Sequence, residues 1–320
     1  MHVKAIKKIA CLGTGTMGHG VAFLAAKAGY EVKMFGRSSE SIKRGLDGVD
    51  RASVLYEDNG LLPKGSKEKI KAAIKGCTSV EEAVHDVDLV MESVAENLKV
   101  KQEVFSVVER NCPEGALVAT DTSGLNLEDI RTVLKRPEQF MAIHFFTPPY
   151  LMPTVEVCPC SATLQSALDL GAQWVESLGN VPIVMAKAVS GFLINRIQTA
   201  VLREATYIVE QGWASAETVD KAIALSLGRR YSVTGPIESA DMGGWDILGA
   251  LLDELGDKLS AAKKASPIVN ELRDKGNLGL KTGQGVYAWT PERIASRRSA
   301  RELSLIKFLR EDQEAAGKGK

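Results

Sequence analysis

Two residues twelve positions apart have the types that move a proton in water-poor surroundings. His144 ends the apolar run Phe140–His144, and Glu156 stands between Val155 and Val157 in another. A carboxylate in an apolar strand needs a partner once buried, and an imidazole supplies one while titrating near neutrality. The pair is a candidate catalytic histidine with a carboxylate partner. Spacing alone leaves a structural, hydrogen-bonded histidine equally open. The other three histidines suggest less: His2 is terminal, His19 opens a helical segment and His85 lies in a charged turn.

A second constellation is Gly13-Thr14-Gly15-Thr16-Met17-Gly18, which follows a strand pattern and opens a helical one. In such a turn the first glycine permits the bend, the second lets backbone approach a pyrophosphate and the third allows close helix–strand packing. Gly13, Gly15, Thr16, Met17 and Gly18 are therefore candidate cofactor-binding residues, against the alternative of a plain glycine turn. The helix start adds free N–H groups and a positive dipole end. After the second strand pattern the chain reads Gly36-Arg37-Ser38-Ser39-Glu40. No acid stands where one would bond an adenosine ribose diol, whereas Arg37 and Ser38 suit a 2′-phosphate. NADP is thus the favoured cofactor, with NAD possible. Glu40 could serve the diol instead, and a solvated loop arginine is the plainer reading of Arg37.

These residues need a sheet to position them. Strand patterns at Ile6–Leu12, Val32–Phe35, Leu89–Glu92, Leu117–Thr120, Phe140–His144, Val155–Val157 and Pro182–Met185 alternate with helical spacing, as in Gly18–Ala28 and Lys101–Arg110. That alternation predicts an α/β doubly wound, Rossmann-type sheet over residues 1–186. Residues 39–75 read as a charged helical arm projecting from the sheet, broken near Gly60–Pro63. After Lys187 only helical patterns remain. Ile194, Ile197, Val201, Ala205 and Ile208 form one stripe, Ser215 and Ser266 suit N-caps, and further helices are expected at 243–255, 267–275 and 291–312. Residues 187–320 are thus expected to form an all-helical domain, with a frayed tail from Gln313.

Composition narrows the partners. Forty basic and forty acidic residues cancel, which argues against nucleic-acid or membrane-surface binding. No apolar run approaches the roughly 20 residues of a membrane helix, and no secretory leader is apparent. Five cysteines do not make a disulfide framework, so a cytoplasmic protein is expected. Cys158-Pro159-Cys160 lacks a second ligand pair for zinc, and Arg293, Arg297, Arg298 and Arg301 read as a solvated face.

Six segments in order carry a resemblance: GTGTMG (13–18), SVAENLKVKQEVF (93–105), ATDTSGL (119–125), HFFTPPYLMPTVEV (144–157), SGFLINR (190–196) and LGLKTGQGVY (278–287). The chain resembles the short-chain L-3-hydroxyacyl-CoA dehydrogenase family over nearly its whole length. The resemblance implies a Rossmann domain, a helical dimerisation domain giving a homodimer, and NAD(P)-dependent oxidation of a 3-hydroxyacyl alcohol to its 3-keto product. By motif, His144 is similar to the catalytic base and Glu156 to its orienting carboxylate. Ser123 and Asn195 match residues near the reacting oxygen, with Ser123 also on the cofactor side. Glu96, Lys101 and Lys281 match cofactor-side contacts, though a helix-start charge pair and a surface turn would look the same.

Some residues depart from that pattern. Asp121, Gly124 and Thr147 replace the usual asparagine, serine and asparagine, and the arm carries Tyr56, Glu57 and Asp58 where acyl-CoA members hold the adenylate. Leu227-Gly228-Arg229-Arg230-Tyr231 is similar to the lambda-crystallin, gulonate and carnitine branch, so Arg230 is a candidate clamp for a substrate carboxylate. A solvated helix-end arginine is the alternative for it. The substrate is accordingly an acyl-CoA thioester or, alternatively, a small free hydroxy acid, aromatic acids included. A crystallin-like protein that binds dinucleotide without turnover is the reading from another class.

Overall fold

The computed structural model describes residues 3–318, so His2 and the last two residues lie outside the described residues. Eight strands form one sheet: β1 (Lys8–Leu12), β2 (Glu31–Phe35), β3 (Ile74–Cys77), β4 (Leu89–Glu92), β5 (Leu117–Thr120), β6 (Phe140–Phe145), β7 (Thr154–Pro159) and β8 (Val181–Val184). Their order is β3-β2-β1-β4-β5-β6-β7-β8. All neighbours are parallel except β6 and β7, which run antiparallel with His144 opposite Glu156. Strands β4 and β6 are buried at every position, which is why they are apolar apart from Glu92 and His144.

The helices that cover this sheet are α1 (Thr16–Lys27), α2 (Ser39–Asp58), α3 (Ser66–Ala72), α4 (Val80–Val84), α5 (Leu98–Asn111), α6 (Leu127–Ile130) and α7 (Gln165–Ser177). Helix α1 is apolar nearly all round because it is enclosed, with Val21, Phe23 and Leu24 in the core. The expected arm does not project. Val49, Ala52 and Tyr56 of α2 are buried against the core, and the Tyr56 hydroxyl donates to the Tyr150 carbonyl. The acids of that segment are used locally: Glu57 accepts from the Lys67 N–H at 2.8 Å and Asp58 pairs with Lys64 at 2.6 Å. Strand β3 has no counterpart among the sequence-predicted strands. Its four residues carry one lysine and Gly76, where a Cβ would lie 2.4 Å from Ile42, so the apolar alternation is broken by packing.

The remaining helices are α8 (Ile194–Glu210), α9 (Ala216–Leu225), α10 (Leu227–Tyr231), α11 (Pro236–Gly243), α12 (Trp245–Leu255), α13 (Pro267–Asp274) and α14 (Pro291–Lys318). Two compact units result: the described residues through Leu193 together with those from Ala300 on, and Ile194–Ser299. The sequence reading assigned 300–320 to the helical domain. Ile306 is instead buried in the first unit's core, and the Arg310 guanidinium donates to the Asn59 carbonyl at 2.8 Å. Residues 313–318 are helical rather than frayed. Ser215 caps α9 by accepting from the Thr218 N–H, whereas Ser266 begins α13 without a side-chain cap bond. Arg293 lies over the rings of Tyr287 and Trp289, so it is not simply a solvated member of the basic face.

Candidate active site

The site lies at the carboxyl ends of the parallel strands, where open α/β sheets place their ligands. Positive φ at Gly13 and contact with the Ser93 carbonyl, 2.5 Å from where a Cβ would stand, leave only glycine there. At Gly18 a Cβ would lie 2.2 Å from the Gly13 oxygen. Nothing approaches within 4 Å of the Cβ position at Gly15. The first and third glycines are thus fixed by packing, and the second opens backbone toward space in which a pyrophosphate fits. Thr16, Met17 and Gly18 form the first turn of α1, which has neither a side-chain cap nor an acid. That N-terminus suits an anion.

Next to this turn lies the segment that follows β6. The Pro149 ring packs where a Gly20 Cβ would stand, at 2.9 Å, and the Thr147 hydroxyl lies 3.2 Å from the Met17 sulfur. Helix α1 therefore holds the stretch leading out of His144. His144 itself is buried, with its ring edge-on to Phe146 at 4.7 Å and tilted against Phe192 at 5.6 Å. Its Nδ1 is 2.8 Å from Glu156 Oε2. A carboxylate only accepts, so Nδ1 donates and the Nε2 lone pair is left to take a proton.

Glu156 Oε1 accepts a second bond, from the Leu193 N–H at 2.8 Å. Leu193 is placed by Phe192, whose φ of 44° lies in the left-handed region that few non-glycine residues adopt. The Leu193 amide was not anticipated from the sequence; its signal is the glycine ahead of Phe192 in SGFLINR.

A second cluster gathers around β4. Glu92 and Lys101 are both buried and paired at 2.7 Å, and Lys101 Nζ also reaches Glu96 at 3.3 Å. Thr120 donates to Glu92 at 2.6 Å and the Val94 N–H at 2.7 Å. Glu96 in turn accepts from the Thr122 hydroxyl at 2.5 Å and from the N–H groups of Ser123 and Gly124 at 3.0 and 3.3 Å. Burial raises the Glu96 carboxyl, but the Thr122 hydroxyl and Lys101 outweigh it and hold the group below its ordinary value. Lys101, expected on the cofactor side, is thus enclosed beneath the loop that carries Ser123. Glu92, overlooked in the sequence, is the acid ending an otherwise apolar strand.

The segment after β2 differs from expectation. The Ser38 hydroxyl caps α2, accepting from the Ser41 N–H at 3.2 Å while Ser41 Oγ accepts from the Ser38 N–H at 3.1 Å. The Ser38 hydroxyl also holds Glu40 below its ordinary value. Arg37, like Ser39, is exposed and takes no part in that cap. Gly36 has a packing reason: a Cβ would lie 2.6 Å from Ser41 Oγ and 2.9 Å from Thr14 Cγ2.

The other expected residues belong to the second unit. Asn195 is in the first turn of α8, Arg230 is exposed on α10 and Lys281 lies in an exposed turn beside the bridge from Gly279 to Gln284. Among the described residues no group of His, Cys, Asp or Glu is arranged to hold a metal, and no helix is long and apolar enough to cross a membrane.

Comparison with known proteins gives this geometry its context. Residues 8–189 match the 3-hydroxyacyl-CoA dehydrogenase NAD-binding domain, and residues 191–289 match the C-terminal domain of the same family. The chain is 30% identical to 5-formyl-3-hydroxy-2-methylpyridine 4-carboxylate 5-dehydrogenase of Mesorhizobium japonicum, over 95% of this chain and 98% of that one. A crystal structure of an enzyme of that activity, described as an NAD+-dependent dismutase, superposes with a TM-score of 0.89 at 29% identity, covering 96% and 99% of the two chains. The (S)-3-hydroxybutyryl-CoA dehydrogenase of Ralstonia eutropha superposes at 0.75 with 28% identity, covering 89% and 100%. A glycine turn opening onto space at the sheet's carboxyl edge is what such a dinucleotide domain requires, and the chain belongs to the 3-hydroxyacyl-CoA dehydrogenase family as a nicotinamide-dependent dehydrogenase.

Proposed function

We propose that this dehydrogenase oxidises the alcohol carbon of a small free carboxylic acid, aromatic acids included, with NAD and with His144 as base. The observation that carries the chemistry is the buried His144–Glu156 pair, whose 2.8 Å bond leaves one imidazole nitrogen available. When bound, the nicotinamide supplies the acceptor for the hydride. His144 Nε2 takes the hydroxyl proton as the carbon is oxidised and returns it in reduction. Glu156, held by the Leu193 amide, fixes the tautomer and stabilises the imidazolium. Ser123 and Asn195 orient the substrate oxygen, Glu96 and Lys101 shape the cofactor-side loop, Lys281 serves the cofactor and Arg230 serves the substrate carboxylate. The support for the roles in the second unit is their motif position.

For the free acid, support comes from the fold similarity of 0.89 to a pyridine-carboxylate enzyme against 0.75 to a thioester enzyme. The family's name favours the second reading, a 3-hydroxyacyl thioester. For NAD, support comes from the engaged Ser38 hydroxyl and the ionised Glu40 beside Arg37, which disfavour a 2′-phosphate. A screen of 3-hydroxybutyrate and aromatic hydroxy acids against 3-hydroxybutyryl-CoA, with both cofactors, tests the substrate class. Reduced cofactor is expected with a free acid, and NAD is expected to exceed NADP about tenfold in kcat/KM, a difference of about 1.4 kcal/mol. Turnover confined to the thioester overturns the free-acid reading, and an NADP preference returns Arg37 to a phosphate fork.

We further propose a homodimer through the second unit. Only Val219 and Ser260 are buried among its residues, while Ile197, Val201, Trp245, Ile247 and Leu251 are exposed. So small a core does not offset the chain entropy of six helices, and a second copy would cover the apolar stripe of α8. Sedimentation equilibrium at micromolar concentration should give twice the chain mass; a monomer there removes the proposal.

A further inference from the structure

The ladder between β5 and β6 stops early. Its last pair is Thr120 with Ala142, two residues before His144. Beyond that point β6 is backed on one side only, by β7, where His144 faces Glu156 and Phe145 faces Val155. The missing rung is supplied by a side chain: Asp121 Oδ1 accepts the Phe145 N–H at 2.8 Å. Its other oxygen, Oδ2, accepts from the Ser93 hydroxyl at 3.3 Å. Ser93 follows β4, and its carbonyl is the atom that leaves no room for a side chain at Gly13. One carboxyl thus joins the ends of β4, β5 and β6, and through Ser93 it backs the glycine turn.

We infer that Asp121 is a positioning residue for the reaction proposed above, holding the strand end that carries His144 in fixed relation to the dinucleotide turn. Hydride transfer depends on that relation, because the imidazole is placed by β6 and the cofactor by the turn. The inference rests on the His144 reading for its consequence and on the three hydrogen-bonded strand ends for its geometry.

The surroundings say which form of the carboxyl fits. Burial pushes Asp121 well above the usual carboxylate range, and the charge of Glu92 adds to this. The Phe145 N–H, the Lys101 ammonium and the Ser93 hydroxyl oppose it. A raised folded-state pKa means that stability present below the ordinary value is lost as pH rises through the shifted one. Asparagine keeps an acceptor for Phe145, reverses the Ser93 bond by donating its amide to the hydroxyl oxygen, and does not ionise.

The test compares Asp121→Ala with Asp121→Asn in the full chain. His144 ring signals are followed by NMR and turnover is followed with the substrate found in the screen. Alanine should displace the ring signals and lower kcat by about 10–100-fold, with the dissociation constant for NAD changed less than about threefold. Asparagine should restore both readouts to within about threefold of the parent, and its stability should fall less as pH rises. Parental ring signals and kcat in a folded alanine variant overturn the inference. If alanine does not fold, the asparagine variant decides: a folded protein with displaced ring signals overturns it, and parental ones uphold it. A parent inactive on every substrate defeats the proposed function, while the ring signals still decide Asp121.

Discussion

Replacing His144 with glutamine is expected to lower kcat by about 10²–10⁴-fold, the usual contribution of a positioned acid–base group. The amide fills similar space and can still donate toward Glu156 Oε2, so the buried carboxylate keeps a partner and the fold should survive. What it lacks is a basic nitrogen at the Nε2 position. Affinity for NAD should stay within about threefold, because the turn at Gly13–Gly18 is untouched. Steady-state kinetics with calorimetric binding of NAD checks both halves. Near-parental turnover at neutral pH would make His144 a structural residue. Glu156→Gln should produce a smaller loss, since it removes the charge that stabilises the imidazolium while leaving the base nitrogen in place.

The largest expected effect on stability is at Lys101. Among the described residues its ammonium is the only cation bonded to Glu92, and both side chains are excluded from water. Lys101→Met leaves a buried carboxylate with only the Thr120 hydroxyl and the Val94 N–H, and should cost about 3–5 kcal/mol. The second variant that makes this diagnostic is Lys101→Met with Glu92→Gln, which removes the stranded charge and should recover most of the loss. Urea unfolding of both variants checks it. A single variant within about 1 kcal/mol of the parent would mean that Glu92 is neutralised without Lys101. Because Glu96 loses the same partner in both variants, both should bind NAD more weakly than the parent, even where stability is recovered.

How much of this was legible in the sequence depended on whether the signal was local. The buried strands announced themselves as apolar runs, and His144 with Glu156 was readable because a polar residue in such a run demands a partner. The β6–β7 register then set them opposite each other. The roles of Ser38 and Gly36 were not readable, since both depend on how α2 leaves the sheet: one caps that helix and the other gives way to Thr14 and Ser41. The arm misled through its charge; four of the six residues on its buried face, Gly45, Gly48, Ala52 and Ser53, are small and carry little hydrophobic signal beside Val49 and Tyr56. Lys101 looked like a surface lysine because nothing local reveals that Glu92, nine positions earlier, neutralises it in the interior. Asp121 and the Leu193 amide act on residues 24 and 37 positions away, a range at which sequence pattern is silent.

The most direct test of the central claim follows a label. A free hydroxy acid carrying deuterium on its hydroxyl-bearing carbon is incubated with the enzyme and NAD, and the reduced cofactor is isolated and weighed by mass spectrometry. With His144 removing only the hydroxyl proton, the deuterium should pass from carbon to the nicotinamide ring without exchange. The His144→Gln variant should transfer the same label at the lower rate. Deuterium recovered in water, or reduced cofactor formed without it, would contradict direct transfer from the substrate carbon and with it the role assigned to the His144–Glu156 pair.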